Sequence, residues 1–161
     1  MIPAADYAVE RVYIKYSNHD YHYWTYDAAT LKYLRFQETA DLRADGTVAY
    51  APLMDAGTGL QVNAENLVVL FVPHTFANPF DEEDEVFHIN LVDSGLAYVF
   101  RDGLAIPARW RRTSIDQPLF LTTTSGAPIF LRPGVTFYEV IGASSGSYQD
   151  EDGWHFEFLT P

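Results

Sequence analysis

Between Tyr21 and Arg35 the chain crowds rings and charges into one short stretch: Tyr23, Trp24, Tyr26, Asp27, Tyr33 and Arg35. Rings that offer a flat apolar face beside carboxylate and guanidinium groups suit a sugar ring or a peptide. The competing explanation is that alternate rings are core and that Asp27 pairs with Arg35 or closes its own turn, since aromatics are enriched in strands generally. A wider polar set, Asp27, Arg35, Asp55, Asn66, His74 and Trp110, holds two carboxylates that could serve as acid and base in glycoside cleavage, with His74 as an alternative base. No spacing forces these residues together. An Asn before a buried strand most often satisfies loop backbone, and a His after Val-Pro is usually a solvated loop residue. The candidate ligand-binding residues are therefore Tyr26, Asp27, Tyr33, Arg35, Asn66 and Trp110, with no catalytic residue assigned.

Other chemistries find less support. Asp81 to Glu85 are consecutive acids and Asp150-Glu151-Asp152 is a second acidic cluster, but the alternating ligands, central Gly and closing Glu of a calcium loop are missing, so both read as solvated loops. His19, His22, His74, His88 and His155 show no metal-ligand spacing, and no metal or other cofactor is expected. Cysteine is absent, which removes a disulfide framework, a thiol nucleophile and thiolate-bound zinc. Gly142 to Gly146 resembles an anion nest, yet acids rather than a Lys follow it, so 143–153 reads as a linker or loop. With 22 acids against 10 bases and a net charge of −12, the chain lacks the cationic footprint that nucleic acid or an anionic membrane would need.

The elements that must position these residues are strands. A chain of 161 residues suffices for one domain, burying roughly 70% of its unfolded surface. Its apolar runs are short and punctuated by Gly, Pro, Thr and Asp. The stretch from Val86 to Arg112 predicts a three-stranded antiparallel meander broken at Asp93-Ser94-Gly95 and at Asp102-Gly103, the latter a strong tight-turn signal. Its first strand carries Phe87, Ile89 and Leu91 on one face. Its third carries Ile106, Ala108 and Trp110 inward and Arg109, Arg111 and Arg112 outward, with Pro107 marking an edge or a bulge. Earlier come Arg11 to Ser17 and a hairpin of Tyr21 to Tyr26 with Leu31 to Phe36. Glu38 to Gln61 is a long irregular connection with room for one helical turn, and Asn66 to Pro73 is continuously apolar, as a central, doubly buried strand should be. Leu119 to Thr123, Ile129 to Arg132, Thr136 to Ile141 and Trp154 to Leu159 complete the set. The expected fold is mainly β, an antiparallel sandwich or strongly bent sheet of eight to ten short strands with little helix. No apolar run is long enough to span a membrane as a helix, and MIPAADYAVERV lacks a signal-peptide pattern.

The ordered set Tyr26-Asp27, Tyr33, Arg35, Asn66-Leu67-Val68-Val69, Gly95-x-Ala97-x-Val99-Phe100-x-Asp102-Gly103, Trp110, Gly126-x-Pro128-Ile129-x-Leu131 and Pro133-Gly134 resembles the C-terminal domain of YerB-like bacterial lipoproteins, from Val12 to Gly142. The resemblance implies the C-terminal domain of a longer extracytoplasmic protein, membrane-anchored through a lipoprotein signal outside this chain. It brings no chemistry, since the family is one of unknown function. The expected role is a binding module for a cell-envelope glycan or peptide. The alternatives are an envelope hydrolase using Asp27 and Asp55 or His74, and a structural domain whose partner is a missing N-terminal domain of the same protein.

Overall fold

The computed structural model describes residues 7, 8, 10–81, 83 and 85–161, so Glu82 and Asp84 of the acidic run lie outside the described residues. The strands are β1 (Tyr7–Ala8), β2 (Arg11–Ser17), β3 (Asp20–Asp27), β4 (Lys32–Glu38), β5 (Tyr50–Pro52), β6 (Asn63–Ala64), β7 (Asn66–Val72) and β8 (His74–Phe76). They continue with β9 (Phe87–Ile89), β10 (Asp93–Arg101), β11 (Leu104–Arg112), β12 (Phe120–Thr123), β13 (Thr136–Gly142), β14 (Gly146–Asp150) and β15 (Gly153–Glu157). One helical turn, α1 (Leu42–Asp45), falls in the irregular connection, capped by the Asp41 carboxylate on the Arg43 N–H and by Gly46 in the left-handed conformation. No helix among the described residues is long and apolar enough to cross a membrane.

Two sheets stack face to face. The first runs β1-β11-β10-β7-β13 with β12 also on β11, and the second runs β14-β15-β2-β3-β4-β5 with β6 also on β4. Strand β7, Asn-Leu-Val-Val-Leu-Phe-Val, is buried at every residue, as expected of a strand apolar on both faces. Leu67, Val69 and Phe71 meet Val12, Ile14, Trp24, Trp154 and Phe156 of the second sheet. On the other face Val68, Leu70 and Val72 join Val99, Ile106, Ala108 and Trp110 in a second cluster, closed by Ile129 and by half-buried Leu119, Leu121 and Leu131. Each large side chain buried here contributes about 1.5–3 kcal/mol by leaving water.

The β10–β11 hairpin forms with Asp102 and Gly103 both at positive φ, 53° and 72°, the geometry a two-residue primed turn requires. Pro107 sits opposite Tyr98 in unbroken register, and on its other side β1 stops at Ala105 while β12 begins at Ala108. The missing N–H therefore points into a gap between two short neighbours, so the proline needs no bulge.

Four details differ from the sequence reading. Strand β9 does not join the meander. It pairs with β8 in a separate two-stranded ribbon, while β10 is flanked by β11 and β7. Ile129 to Arg132 forms no strand: the Asn66 side chain takes the place of a neighbour, donating to the Arg132 carbonyl at 2.8 Å and accepting from its N–H at 2.8 Å. The stretch 143–153, read as a linker or loop, forms β14 and its turn, held by Tyr148 and by the Asp150 carboxylate on the N–H groups of Asp152 and Gly153. The sheets are also mixed rather than purely antiparallel, since β13 runs parallel to β7 and β15 parallel to β2.

Gly95 faces Trp110 across the hairpin, where the indole N–H donates to the Phe71 carbonyl at 2.8 Å. A Cβ at Gly95 would lie 2.5 Å from that nitrogen and 2.7 Å from that carbonyl. Gly95→Ala is expected to lower stability by about 1–3 kcal/mol through overpacking. Urea unfolding monitored by tryptophan fluorescence checks this, with a lower midpoint at unchanged slope expected.

Candidate functional site

The outer face of the second sheet turns away from both apolar clusters, yet it carries a continuous row of rings. Register places Tyr148 opposite His155, His155 opposite Tyr13, Tyr13 opposite Tyr23 and Tyr23 opposite Phe36, so one line crosses β14, β15, β2, β3 and β4. The His155 ring lies between the phenol rings of Tyr148 and Tyr13, each 4.5 Å away and within 3° of parallel. Tyr13 and Tyr23 are 5.2 Å apart and tilted, and Tyr23 stacks on Phe36 at 4.7 Å. Tyr50 stands edge-on to Tyr23 at 4.8 Å. Cross-strand aromatic pairs each contribute roughly 0.2–1 kcal/mol, so the row also ties the sheet together.

Stacking consumes ring faces. What the row offers to solvent is ring edges, phenolic hydroxyls and, at its end, the free face of Tyr148, which is 56% exposed. Beside the row, α1 and Tyr50 wall a hollow of about 440 Å³ whose lining includes Tyr13, Lys15, Leu42, Val48, Tyr148 and His155. Its polar groups are largely engaged with one another. Lys15 pairs with Glu157 at 3.1 Å, and Arg11 donates to the Tyr13 hydroxyl at 3.3 Å with its guanidinium 5.6 Å from the Tyr23 ring centre. His155 Nε2 lies 3.0 Å from the Asp150 carboxylate. Desolvation works to raise the Asp150 carboxyl, but the bonds from His155 and from backbone N–H groups hold it below the ordinary range. Burial and the neighbouring tyrosines push the Tyr50 phenol up to about 12. The hollow thus combines apolar walls with hydroxyl, amino and carboxyl side chains.

A second arrangement lies between the sheets. Glu139 of β13 points inward with Phe137 and Ile141 and is 4% exposed. One of its oxygens lies 2.7 Å from His22 Nε2 and accepts from the Trp24 indole N–H at 3.1 Å, while the other accepts from the Tyr16 hydroxyl at 3.0 Å. Desolvation works to raise the Glu139 carboxyl, but the bond and charge of His22, the bond of Trp24 and the charge of Arg35 outweigh it and hold the group low. An ionised carboxylate only accepts, so His22 carries its proton on Nε2. His22 Nδ1 is buried with no hydrogen-bond partner. Burial, then the Glu139 charge, push the Tyr16 phenol well above its usual range.

Comparison with known proteins places this architecture. A family model described as the C-terminal domain of a protein of unknown function (DUF3048) matches residues 12–138. The chain belongs to this family. The crystal structure of the YerB protein from Bacillus subtilis matches with a TM-score of 0.62 at 19% identity, covering 88% of this chain and 43% of that one, a likeness of fold. The chain thus spans less than half the length of that structure. No curated protein matches it.

Within this DUF3048 C-terminal domain the residues anticipated from sequence are dispersed. Asp27 closes its own turn, accepting from the Ala29 N–H and the Thr30 hydroxyl at 3.1 and 2.6 Å. Arg35 does not pair with Asp27. It donates to the Gln37 side chain and lies 5.4 Å from the Trp24 ring centre. Tyr33, Asn66 and Trp110 are fully buried. Tyr26 packs on Tyr33 and against Gly103, near the Asp102–Arg132 ion pair and hence near Asn66, so Tyr26, Tyr33 and Asn66 share one end of the sandwich. Asp55 accepts from the N–H and hydroxyl of Thr58, and His74 Nδ1 donates to the Val72 carbonyl at 2.7 Å. Asp27, Arg35 and Asn66 form no common polar site. No group of three or more His, Cys, Asp or Glu among the described residues is placed to hold a metal ion.

Sequence reasoning passed over Tyr13, Tyr148 and Glu139, and weighed His155 only as a metal ligand. The row depends on β15 pairing parallel with β2 across the length of the chain, which no local pattern announces. Glu139 had a legible signal, an acid on the same alternate face as Phe137 and Ile141. Because its folded-state pKa is depressed, Glu139 stabilises the fold above the ordinary carboxyl pKa near 4.5, and that contribution is lost as pH falls through the lower folded value. Melting temperature measured from pH 7 down to about pH 3 should fall less steeply for Glu139→Gln than for wild type. At pH 7, His22→Ala should cost about 3–5 kcal/mol by leaving the carboxylate without its imidazole.

Proposed function

We propose that the domain is a non-catalytic recognition module of an extracytoplasmic protein, which binds a cell-envelope glycan or peptide along the ring row of the second sheet. The observation that carries this reading is the row itself: five rings in strict register on a face the core does not use. A sheet needs only its inner face apolar to pack. Stacked rings with hydroxyl edges, beside a hollow of about 440 Å³ flanked by Lys15, Glu157 and Asp152, match a ligand that is both ring-bearing or apolar and rich in hydrogen-bonding groups. The envelope location rests on the resemblance to YerB-like lipoproteins.

The carboxylates an envelope hydrolase would use point the other way. Asp27 is half-buried and Asp55 is exposed, and the bonds from the Thr30 hydroxyl and from the Thr58 N–H respectively hold each below the ordinary range. A general acid at neutral pH needs the opposite shift.

Cosedimentation with insoluble cell-wall sacculi, with the supernatant analysed for released fragments, tests this reading. Retention without release is expected. Tyr13→Ala, which removes a ring from the middle of the row and its contacts with His155 and Tyr23, should weaken retention about tenfold, equivalent to about 1.4 kcal/mol of contact, while lowering the melting temperature by only about a few degrees. Release of soluble fragments would overturn the non-catalytic reading, and the absence of retention would overturn the binding one.

A further inference from the structure

The ring row ends on a strand edge that pairs with no further strand among the described residues. Strand β14 is the last strand of the second sheet and pairs with β15 alone. Its hairpin closes through a two-residue turn, Glu151-Asp152, with Asp150 opposite Gly153. That closing pair exchanges both main-chain bonds, and alternation along an antiparallel ladder makes Tyr148 and Gly146 bonded to β15 in the same way. Ser147 and Gln149 therefore direct their N–H and C=O groups outward. Exposed edges are ordinarily blunted by Lys, Pro or a bulge. The sequence Gly-Ser-Tyr-Gln-Asp has neither residue, its register is unbroken, and it is exposed from Ser147 to Asp150. The opposite edge of the same sheet, β5, is three residues long and ends in Pro52.

The edge is complementary to itself. We propose that two copies of this domain associate through β14, antiparallel about a two-fold axis at Tyr148, joining their second sheets and ring rows into one. In this register Ser147 of one copy faces Gln149 of the other, so the four outward-pointing residues exchange main-chain bonds. Tyr148 faces Tyr148 in a non-bonded pair, where side chains approach closest, and each ring takes up the free face of the other. Asp150 faces Gly146, where a Cβ would meet nothing within 4 Å, and Glu151 and Asp152 continue past Ser145 and Ser144. No like charges are set opposite each other, although each copy carries a net charge of −12. A five-residue edge buries less than the roughly 1,200 Å² typical of stable interfaces, so the association is weak and strengthens as salt screens the overall repulsion.

Sedimentation equilibrium on the wild-type chain, in a concentration series reaching about 1 mM, is the test. The apparent mass should rise toward twice the monomer value, stop there, and rise further at higher salt. Ser147→Pro and, separately, Gln149→Pro each remove one outward N–H while sparing the bonds to β15, and each should abolish the rise at a melting temperature close to wild type. The absence of native cysteine allows a check on register. Under oxidised glutathione, Tyr148→Cys should form a covalent dimer, because facing Cα atoms in a non-bonded pair are about 4.5 Å apart, within disulfide reach. Ser147→Cys, which faces Gln149, should not. A wild type that stays monomeric throughout, an association untouched by both proline variants, or cross-linking of Ser147→Cys in preference to Tyr148→Cys would overturn the proposal.

Discussion

The fold depends on burying β7 from both sides. Seven consecutive buried residues require cover above and below, and two different structures supply it. The second sheet covers one face, and the segment from Leu119 to Leu131, β12 included, helps to cover the other. Because that segment shields the first sheet, the second sheet needs to contribute only its inner face to the core. Its outer face takes no part in either apolar cluster, and that is where rings accumulate.

Polar groups between the sheets then determine how the layers seat. Glu139 reaches from β13 to His22 and Trp24 on β3 and to Tyr16 on β2, so one carboxylate fastens an edge strand of the first sheet to two central strands of the second. A buried ion pair is weak evidence for net stability, because desolvation offsets most of its attraction. Its directional bonds do, however, discriminate against any sliding of one sheet over the other, which would leave the carboxylate unpaired. At the far end, Asn66 does similar work between β7 and Arg132, and the buried Arg101 side chain bonds the Phe130 carbonyl. Side chains thereby stand in for the strand pairing that Ile129 to Arg132 lacks.

Periodicity made most strands legible: the alternating runs of β2, β3, β4 and β10, the unbroken apolar run of β7 and the Asp102-Gly103 turn all appear as their residues dictate. What local pattern could not convey was pairing at long range. Phe87 to Ile89 alternates as an ordinary strand does, and nothing in those residues says that its neighbour is β8 rather than β10. The Gly- and Ser-rich 143–153 carries a linker's composition, yet it forms a strand because β15 offers it an edge and Tyr148 a stacking partner. Of the ring row only Tyr23 stood among the candidates read from sequence, for the same reason. Its rings come from the two ends of the chain, and only the parallel pairing of β15 with β2 brings His155 beside Tyr13.

That origin bears on what the site can do. Catalytic groups need a pKa displaced toward neutrality and a partner within bonding distance of a reacting atom. The carboxylates of the surface turns are displaced the other way, because Asp27 accepts from the Thr30 hydroxyl, Asp41 from the Arg43 guanidinium and Asp55 from the Thr58 N–H. The one deeply buried acid, Glu139, has both oxygens occupied by neighbouring side chains and holds its charge. The rings of the row, by contrast, have edges and hydroxyls that no core contact requires. The recognition role proposed above rests on that contrast between charged groups that satisfy one another and aromatic groups in excess of what packing needs.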